Sequence, residues 1–261
     1  MAQWQTGQTV ELTPVAVGSS EERMENLDQL KAVTFDVFGT VVDWRSSIAR
    51  EINLLADEKE VSIDGAEFAS AWRSLYQPSM SKVRSGEIPF QPLDALHRNN
   101  LNTVLEQYEI DQLSEPEKVH LNRAWHRLDP WPDVIEGLVR LKERYIIGTL
   151  SNGNISLIVN MAKHSGLPWD VVLGAEVAGH YKPCPEAYLG SAKKLDLAPH
   201  QCMLVAAHNT DLQAASSCGF RTAFVARPTE YGPDQTADLC AEHEFDVVAS
   251  DFVDLAEQLQ A

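Results

Sequence analysis

The sequence predicts an α/β protein: a parallel sheet flanked by helices, with an all-helical block inserted after the first strand. Three observations carry this. Short apolar runs rich in β-branched residues alternate with helix-period segments through most of the chain. Those runs are nearly free of polar residues, as strands buried on both faces of a parallel sheet require. Between about 48 and 130 the periodicity is helical throughout, with no convincing strand. Such alternation gives parallel strands joined by right-handed crossovers.

Composition narrows the class. At 261 residues and 44% hydrophobic content, the chain can bury the core of one large domain with a substantial insertion. A formal net charge of −17 excludes nucleic acid, whose phosphates would be repelled. Any anionic substrate then needs a local basic pocket against an unfavourable global field. No apolar run approaches the roughly 20 residues of a membrane span. The segment Met1 to Ser20 has neither the basic nor the apolar region of a signal peptide, so a cytoplasmic protein is expected. Cys184, Cys202, Cys218 and Cys240 lie far apart with no C-x-x-C, which reads as reduced thiols rather than a metal or redox motif.

In chain order, residues 1–28 are polar and charged and read as a loosely packed extension. Ala32-Val33-Thr34-Phe35 is a buried strand ending in Asp36, followed by a turn at Gly39 and then Thr40. Asp43-Trp44 leads into a helix with Ile48, Ile52, Leu54 and Leu55 at helical spacing. Within the insertion, assigned to 48–130, three apolar faces follow. They are Phe68/Ala71/Trp72/Leu75/Tyr76, Leu93/Leu96/Leu101/Val104/Leu105/Tyr108, and Val119/Leu121/Trp125/Leu128. The core, assigned to 29–47 and 131–261, resumes after Pro130-Trp131-Pro132 with an amphipathic helix, Val134 to Tyr145. Ile146 to Leu150 is a strand with Ser151-Asn152 at its end. Ile155 to Ser165 is a helix stopped by Gly166. Val171-Val172-Leu173 is a short strand, and Pro185 opens a helix to Leu195. The strand Cys202 to Ala207 runs into His208-Asn209-Thr210-Asp211. A helix from Leu212 stops at Gly219. Thr222 to Val225 and Phe245 to Val248 are strands, and a helix from Phe252 to Leu259 closes the chain.

In an open parallel sheet, chemistry sits beyond the carboxyl ends of the strands. Asp36 with Thr40, Ser151 with Asn152, and His208 with Asp211 all fall there, and Lys182 lies in Tyr181-Lys182-Pro183 before a helix. Taken singly, each is as well explained as a helix cap, a turn or a surface charge. Their joint appearance after successive strands argues for a site.

These residues also carry a resemblance. Asp36-x-Phe38-Gly39-Thr40, Ser151-Asn152-Gly153, Lys182-Pro183 and the segment ending in Asp211 resemble the four motifs of the haloacid dehalogenase superfamily, over nearly all of the chain from about 30 on. The resemblance implies a Rossmann-like core with a cap domain inserted after the first strand. Phosphatases of that superfamily usually carry a second aspartate two residues after the nucleophile, where this chain has Phe38. They also hold Mg²⁺ with an acidic pair in the fourth motif, where this chain has Ala206, Ala207, His208 and Asn209 before Asp211. A hard cation wants oxygen ligands. Both departures point to the metal-independent 2-haloacid dehalogenase branch, with no cofactor and no metal expected. Trp72-Arg73 resembles the pair whose arginine receives the halide. Tyr188 matches a tyrosine of those enzymes, and Phe90 a cap aromatic that lines their pocket. Where dehalogenases commonly have Ser and Asn in the fourth motif, this chain has Ala206 and His208. A histidine near a small halide could aid departure of a poor leaving group such as fluoride.

The function this implies is hydrolysis of a short 2-haloalkanoic acid to a 2-hydroxy acid, with inversion. Asp36 is the nucleophile, Lys182 keeps it ionised, Asp211 activates water, and Arg73 with Phe38 and Phe90 takes the halide. Thr40, Ser151 and Asn152 hold substrate or orient Asp36, alongside Tyr188 and His208. The partners expected are a small anionic halogenated acid, water and the halide product; a homodimer is common among such enzymes. Three alternatives stand beside this: a phosphatase with a degenerate motif, a carbon-centre hydrolase acting on a strained ring such as an azetidine carboxylate, and a non-catalytic binding protein.

Overall fold

The structure is a computed structural model that describes residues 27–261; most of the N-terminal extension expected for 1–28 lies outside the described residues. A six-stranded sheet has the order β5-β4-β1-β6-β7-β8, every neighbouring pair parallel. Its strands are β1 (Ala32–Phe35), β4 (Ile146–Ser151), β5 (Val171–Gly174), β6 (Cys202–Ala206), β7 (Arg221–Val225) and β8 (Val247–Ala249). Alternate residues face opposite layers. Val33, Phe35, Ile147, Met203 and Val205 enter the larger core, while Ala32, Leu150, Cys202, Leu204 and Ala206 enter the smaller one. Helices α6 (Val134–Lys142), α7 (Ile155–Ser165) and α11 (Phe252–Gln258) bury residues in the first layer. Helices α9 (Pro185–Lys194) and α10 (Asn209–Ser217) bury theirs in the second, and α8 (Ala175–Ala178) is a single turn after β5. α7 ends at Gly166, which adopts φ +70°, the left-handed cap that the sequence signals there.

Strand order places the site. β1 is central, with β4 and β6 on either side, so the first residues beyond these three strands are neighbours at one sheet edge. The Asp36 N–H donates to the Val205 carbonyl at 3.0 Å, carrying the ladder one step past β1.

The insertion leaves and returns through a two-stranded antiparallel ribbon, β2 (Val42–Asp43) with β3 (Asp129–Pro130). Between them run α1 (Trp44–Lys59), α2 (Gly65–Ser74), α3 (Tyr76–Arg84), α4 (Leu93–Gln107), α5 (Glu115–Asn122) and a 3₁₀ turn at Arg123–His126. Asp43 caps α1 by accepting from the Ser46 N–H, and Asp64 caps α2 by accepting from Ala66 and Glu67. Trp125 lies at the centre of the insertion, stacked on His97 at 4.4 Å and on Trp44 at 6.2 Å.

Several details differ from the sequence expectation. The face from Phe68 to Tyr76 belongs to two helices, because Pro78 has no N–H to continue the first ladder and the chain restarts at Tyr76. The ribbon strands are two residues each, too short to show any period. Leu54 and Val119, placed inward by spacing, are 61% and 45% exposed. Among the described residues no helix is long and apolar enough to cross a membrane.

Candidate active site

Asp36 sits at the floor of a cavity of about 380 Å³ between the sheet edge and the insertion. Its two oxygens are held differently. Oδ2 accepts from Thr40 Oγ1 at 3.0 Å and lies 3.0 Å from His208 Nδ1. Oδ1 accepts from Lys182 Nζ at 3.0 Å. Thr40 is fully buried and its Oγ1 accepts from the Ala207 N–H at 2.9 Å, so the hydroxyl proton is left to point at Asp36. Burial alone would raise the Asp36 carboxyl; Lys182 and His208 more than offset that and hold it well below the ordinary carboxylate range.

Lys182 is the hinge of the polar network. Nζ also donates to Asp211 Oδ2, so the ammonium bridges the two carboxylates. Its backbone N–H donates to Asn152 Oδ1 at 2.8 Å, which ties the end of β4 to this loop. Burial would lower the lysine, but Asp211 and Asp36 drive it above its ordinary value, and it stays charged. The Tyr188 hydroxyl donates to Asp211 Oδ1 at 2.6 Å from α9. Burial first, and the Asp211 carboxylate second, push this phenol well above its usual range, so the hydroxyl keeps its proton.

The opposite wall comes from the insertion. The Arg73 guanidinium lies 3.9 Å from the Tyr76 ring centroid, 5.3 Å from Trp44 and 5.7 Å from Phe38. Its Nη1 is shielded from solvent and has no hydrogen-bond partner. A cation so placed, in an aromatic enclosure and facing a cavity, has a donor that an anion could take up. Arg84 joins the same wall to the core, donating to the Lys182 carbonyl at 3.2 Å.

Asp36, Phe38, Arg73, Asn152, Lys182, His208 and Asp211 all line the cavity. Ser151, Thr40 and Tyr188 stand behind it. Ser151 is fully buried and its Oγ accepts from the Gly153 N–H at 3.0 Å, while Thr40 and Tyr188 hold Asp36 and Asp211. Of the two roles expected for Thr40, holding substrate or orienting Asp36, its contact is the second, and Tyr188, placed with the substrate-binding residues, instead supports Asp211. Phe90, expected to line the pocket, is not among the residues of the cavity wall: its ring packs on Tyr181 at 5.2 Å, whose hydroxyl donates to the Gln91 carbonyl.

Other wall residues escaped the sequence reading. Tyr76, Gln77, Arg84, Thr210, Tyr231 and Asp238 line the cavity. Tyr76 was legible only as an apolar-face residue. Glu230 is 1% exposed; its Oε2 lies 2.9 Å from His208 Nε2, and its Oε1 accepts from Trp44 Nε1 at 2.9 Å. Arg227 donates to the Thr40 carbonyl at 2.9 Å and pairs with both oxygens of Asp133 at 2.8 Å. The one available signal for Glu230 and Arg227 was their place in the loop after a strand at the chemical edge of the sheet.

Chemically, the site offers an ionised carboxylate with one free lone-pair direction, a second carboxylate beside it, and a guanidinium with an unpartnered Nη1 across an aromatic-walled space. Among the described residues no group of three or more His, Cys, Asp or Glu side chains is arranged to hold a metal ion.

Residues 30–219 match the haloacid dehalogenase-like hydrolase family. The (S)-2-haloacid dehalogenase 4A of Burkholderia cepacia is 29% identical over 211 residues, spanning 78% of this chain and 88% of its own. A solved defluorinating L-2-haloacid dehalogenase is 50% identical with a TM-score of 0.88, covering 89% of this chain and 96% of that one. A second solved L-2-haloacid dehalogenase is 47% identical with a TM-score of 0.86, covering 88% and 99%.

Proposed function

We propose that this chain, which belongs to the haloacid dehalogenase-like hydrolase family, hydrolyses short L-2-haloacids to 2-hydroxy acids through an ester on Asp36. The observation that carries this reading is the pairing across one cavity of an ionised Asp36 with the Arg73 guanidinium, whose shielded Nη1 has no partner, in its aromatic enclosure. The names of the relatives at 47–50% identity support it.

Asp36 Oδ1, which has a single partner, attacks C2 of the substrate in line with the carbon–halogen bond. Halide leaves toward Arg73, where charge is received without reorganisation of solvent. Water, with Asp211 as its base, then adds to the Asp36 carbonyl carbon. The bond from Oδ1 to C2 is kept through to product, so the inversion of the first step is preserved. Lys182 holds Asp36 ionised before the first step and balances charge in the second.

Phe38 leaves no acid to protonate an alcohol leaving group, and the Lys182 ammonium already stands between Asp36 and Asp211. Turnover is therefore expected to persist in excess chelator. Release of phosphate from p-nitrophenyl phosphate, strictly dependent on Mg²⁺, would mark a phosphatase instead. The direct test is turnover in ¹⁸O-water with mass analysis of the enzyme. Label enters the Asp36 carboxylate, and the first-turnover product carries unlabelled oxygen. Label in that product with none in Asp36 overturns the ester. Asp36→Asn is expected to reduce halide release to background. Because one relative is named as defluorinating, the substrate screen includes fluoro- as well as chloro- and bromo-acids.

A further inference from the structure

We propose that Glu230 is a positioning residue that keeps His208 as an imidazolium, and that His208 with Thr40 receives the negative charge formed on Asp36 Oδ2 when the ester is hydrolysed. This rests on the reading of Asp36 as an ester-forming nucleophile.

The protonation follows from the partners. His208 Nδ1 lies 3.0 Å from Asp36 Oδ2 and Nε2 lies 2.9 Å from Glu230 Oε2. An ionised carboxylate only accepts, so each contact requires a proton on the ring nitrogen, and a ring with both protons is cationic. Glu230 is buried, and its second oxygen is fixed by Trp44 Nε1 at 2.9 Å. Space for it is made by Gly39, where a Cβ would fall 2.1 Å from the Glu230 carboxylate. The other charged or titratable side chains on the cavity wall that His208 shares are Arg73, Tyr76, Arg84, Lys182, Asp211, Tyr231 and Asp238. Burial opposes the charge on His208, and Glu230 followed by Asp36 outweighs it, raising the ring well above its ordinary value. Held on both sides, His208 has no lone pair for a proton from water, which leaves that task to Asp211.

The partners also sort the two steps. Oδ2 is occupied by Thr40 and His208, Oδ1 by Lys182 alone, so Oδ1 forms the bond to substrate and Oδ2 becomes the ester carbonyl. Alkylation removes negative charge from Asp36, and a cation at Oδ2 opposes it. In hydrolysis, water adds to Cγ, its proton passes to Asp211, and the carbonyl π pair moves onto Oδ2. When that pair returns, Oδ1 departs from Cγ with the bonding electrons, still bonded to C2, takes the proton from Asp211, and leaves as the 2-hydroxy acid; the second proton of the water passes from the new Asp36 carboxyl group to solvent, and the carboxylate is restored. Charge thus builds at Oδ2 only in the second step, where His208⁺ and the Thr40 hydroxyl lie at hydrogen-bond distance. Only interactions stronger in the transition state accelerate a step.

Rapid-quench measurement of halide release with intact-mass detection of the alkyl-enzyme separates the steps in wild type, Glu230→Gln and His208→Asn. In E230Q the expected result is a burst of one halide per site, no slower than in wild type, and steady-state turnover lower by about 10²-fold with the adduct accumulating. H208N is expected to accumulate the adduct as well, and E230Q added to it to give no further slowing. Equal slowing of both steps in E230Q, with no adduct, overturns the role of Glu230. Failure of ¹⁸O from water to enter Asp36 in wild type overturns the function on which the proposal rests, and so is a distinguishable failure. Should E230Q not fold, ¹⁵N-histidine spectra of wild type at pH 7 decide: two protonated nitrogens on His208 are expected, and a neutral ring overturns the proposal.

Discussion

Arg73 offers one guanidinium to one cavity, and its cost and its use can be measured separately. Its Nη1 is shielded and unpartnered, while the rings of Tyr76, Trp44 and Phe38 enclose the group. A partly buried cation with no ion-pair partner among the described residues is weak support for a fold, and an apolar side chain of similar length can replace it at little loss. Arg73→Met is therefore expected to melt within about 3 °C of wild type. On the proposed mechanism, loss of the charge that Arg73 presents to the cavity is expected to lower kcat/KM by about 10²-fold or more. Calorimetry and initial rates check the two halves; a large fall in melting temperature with activity retained would reverse the assignment. Arg73 was legible beside Trp72, as were Asp36, Lys182 and Asp211, because each is a charged residue at a telling place in a motif. Lys182 and Thr40 on Asp36 were legible from the motifs, but the remaining contacts were not. Tyr188 binds a carboxylate rather than lining the cavity, and Glu230 reaches His208 from a loop whose sequence shows no pattern.

The turn after β1 shows how an element serves the site. Gly39 has φ +91°, a conformation a side chain disfavours, and a Cβ there would also meet the Glu230 carboxylate. Gly39→Ala is expected to cost about 1–3 kcal/mol in a denaturant titration. The loss of turnover should be larger than that stability loss explains, because Glu230 is displaced from His208. Gly86 is the control: its φ is +77° with open space around a built Cβ, so Gly86→Ala meets backbone strain alone and is expected to keep its activity. The parallel strands were legible as elements because burial on both faces makes them mostly apolar. The ribbon of β2 and β3 was not, since two residues carry no periodicity, although it is the stem on which the insertion stands. The break between α2 and α3 was missed because the apolar spacing runs on through Leu75 while the backbone ladder stops.

For the whole molecule, a net charge of −17 sets a repulsive field for any carboxylate approaching the cavity. On the cavity wall the cations Arg73, Arg84, Lys182 and His208 stand against Asp36, Asp211 and Asp238, so local charge offsets the global field only near the site. Screening shortens the reach of charge from about 30 Å at 0.01 M salt to about 8 Å at 0.15 M. For an anionic haloacid, kcat/KM is expected to rise over that range while kcat at saturation stays nearly constant. Arg84 is the cation that ties α3 of the insertion to the Lys182 loop of the core. Arg84→Gln is therefore expected to raise KM several-fold with little change in kcat, and to steepen the rise of kcat/KM with salt. Initial rates at four or five ionic strengths, for wild type and R84Q, read both effects. A kcat/KM that falls with salt in wild type would mean that the local cations, not the global charge, govern approach, and R84Q would then flatten the slope instead.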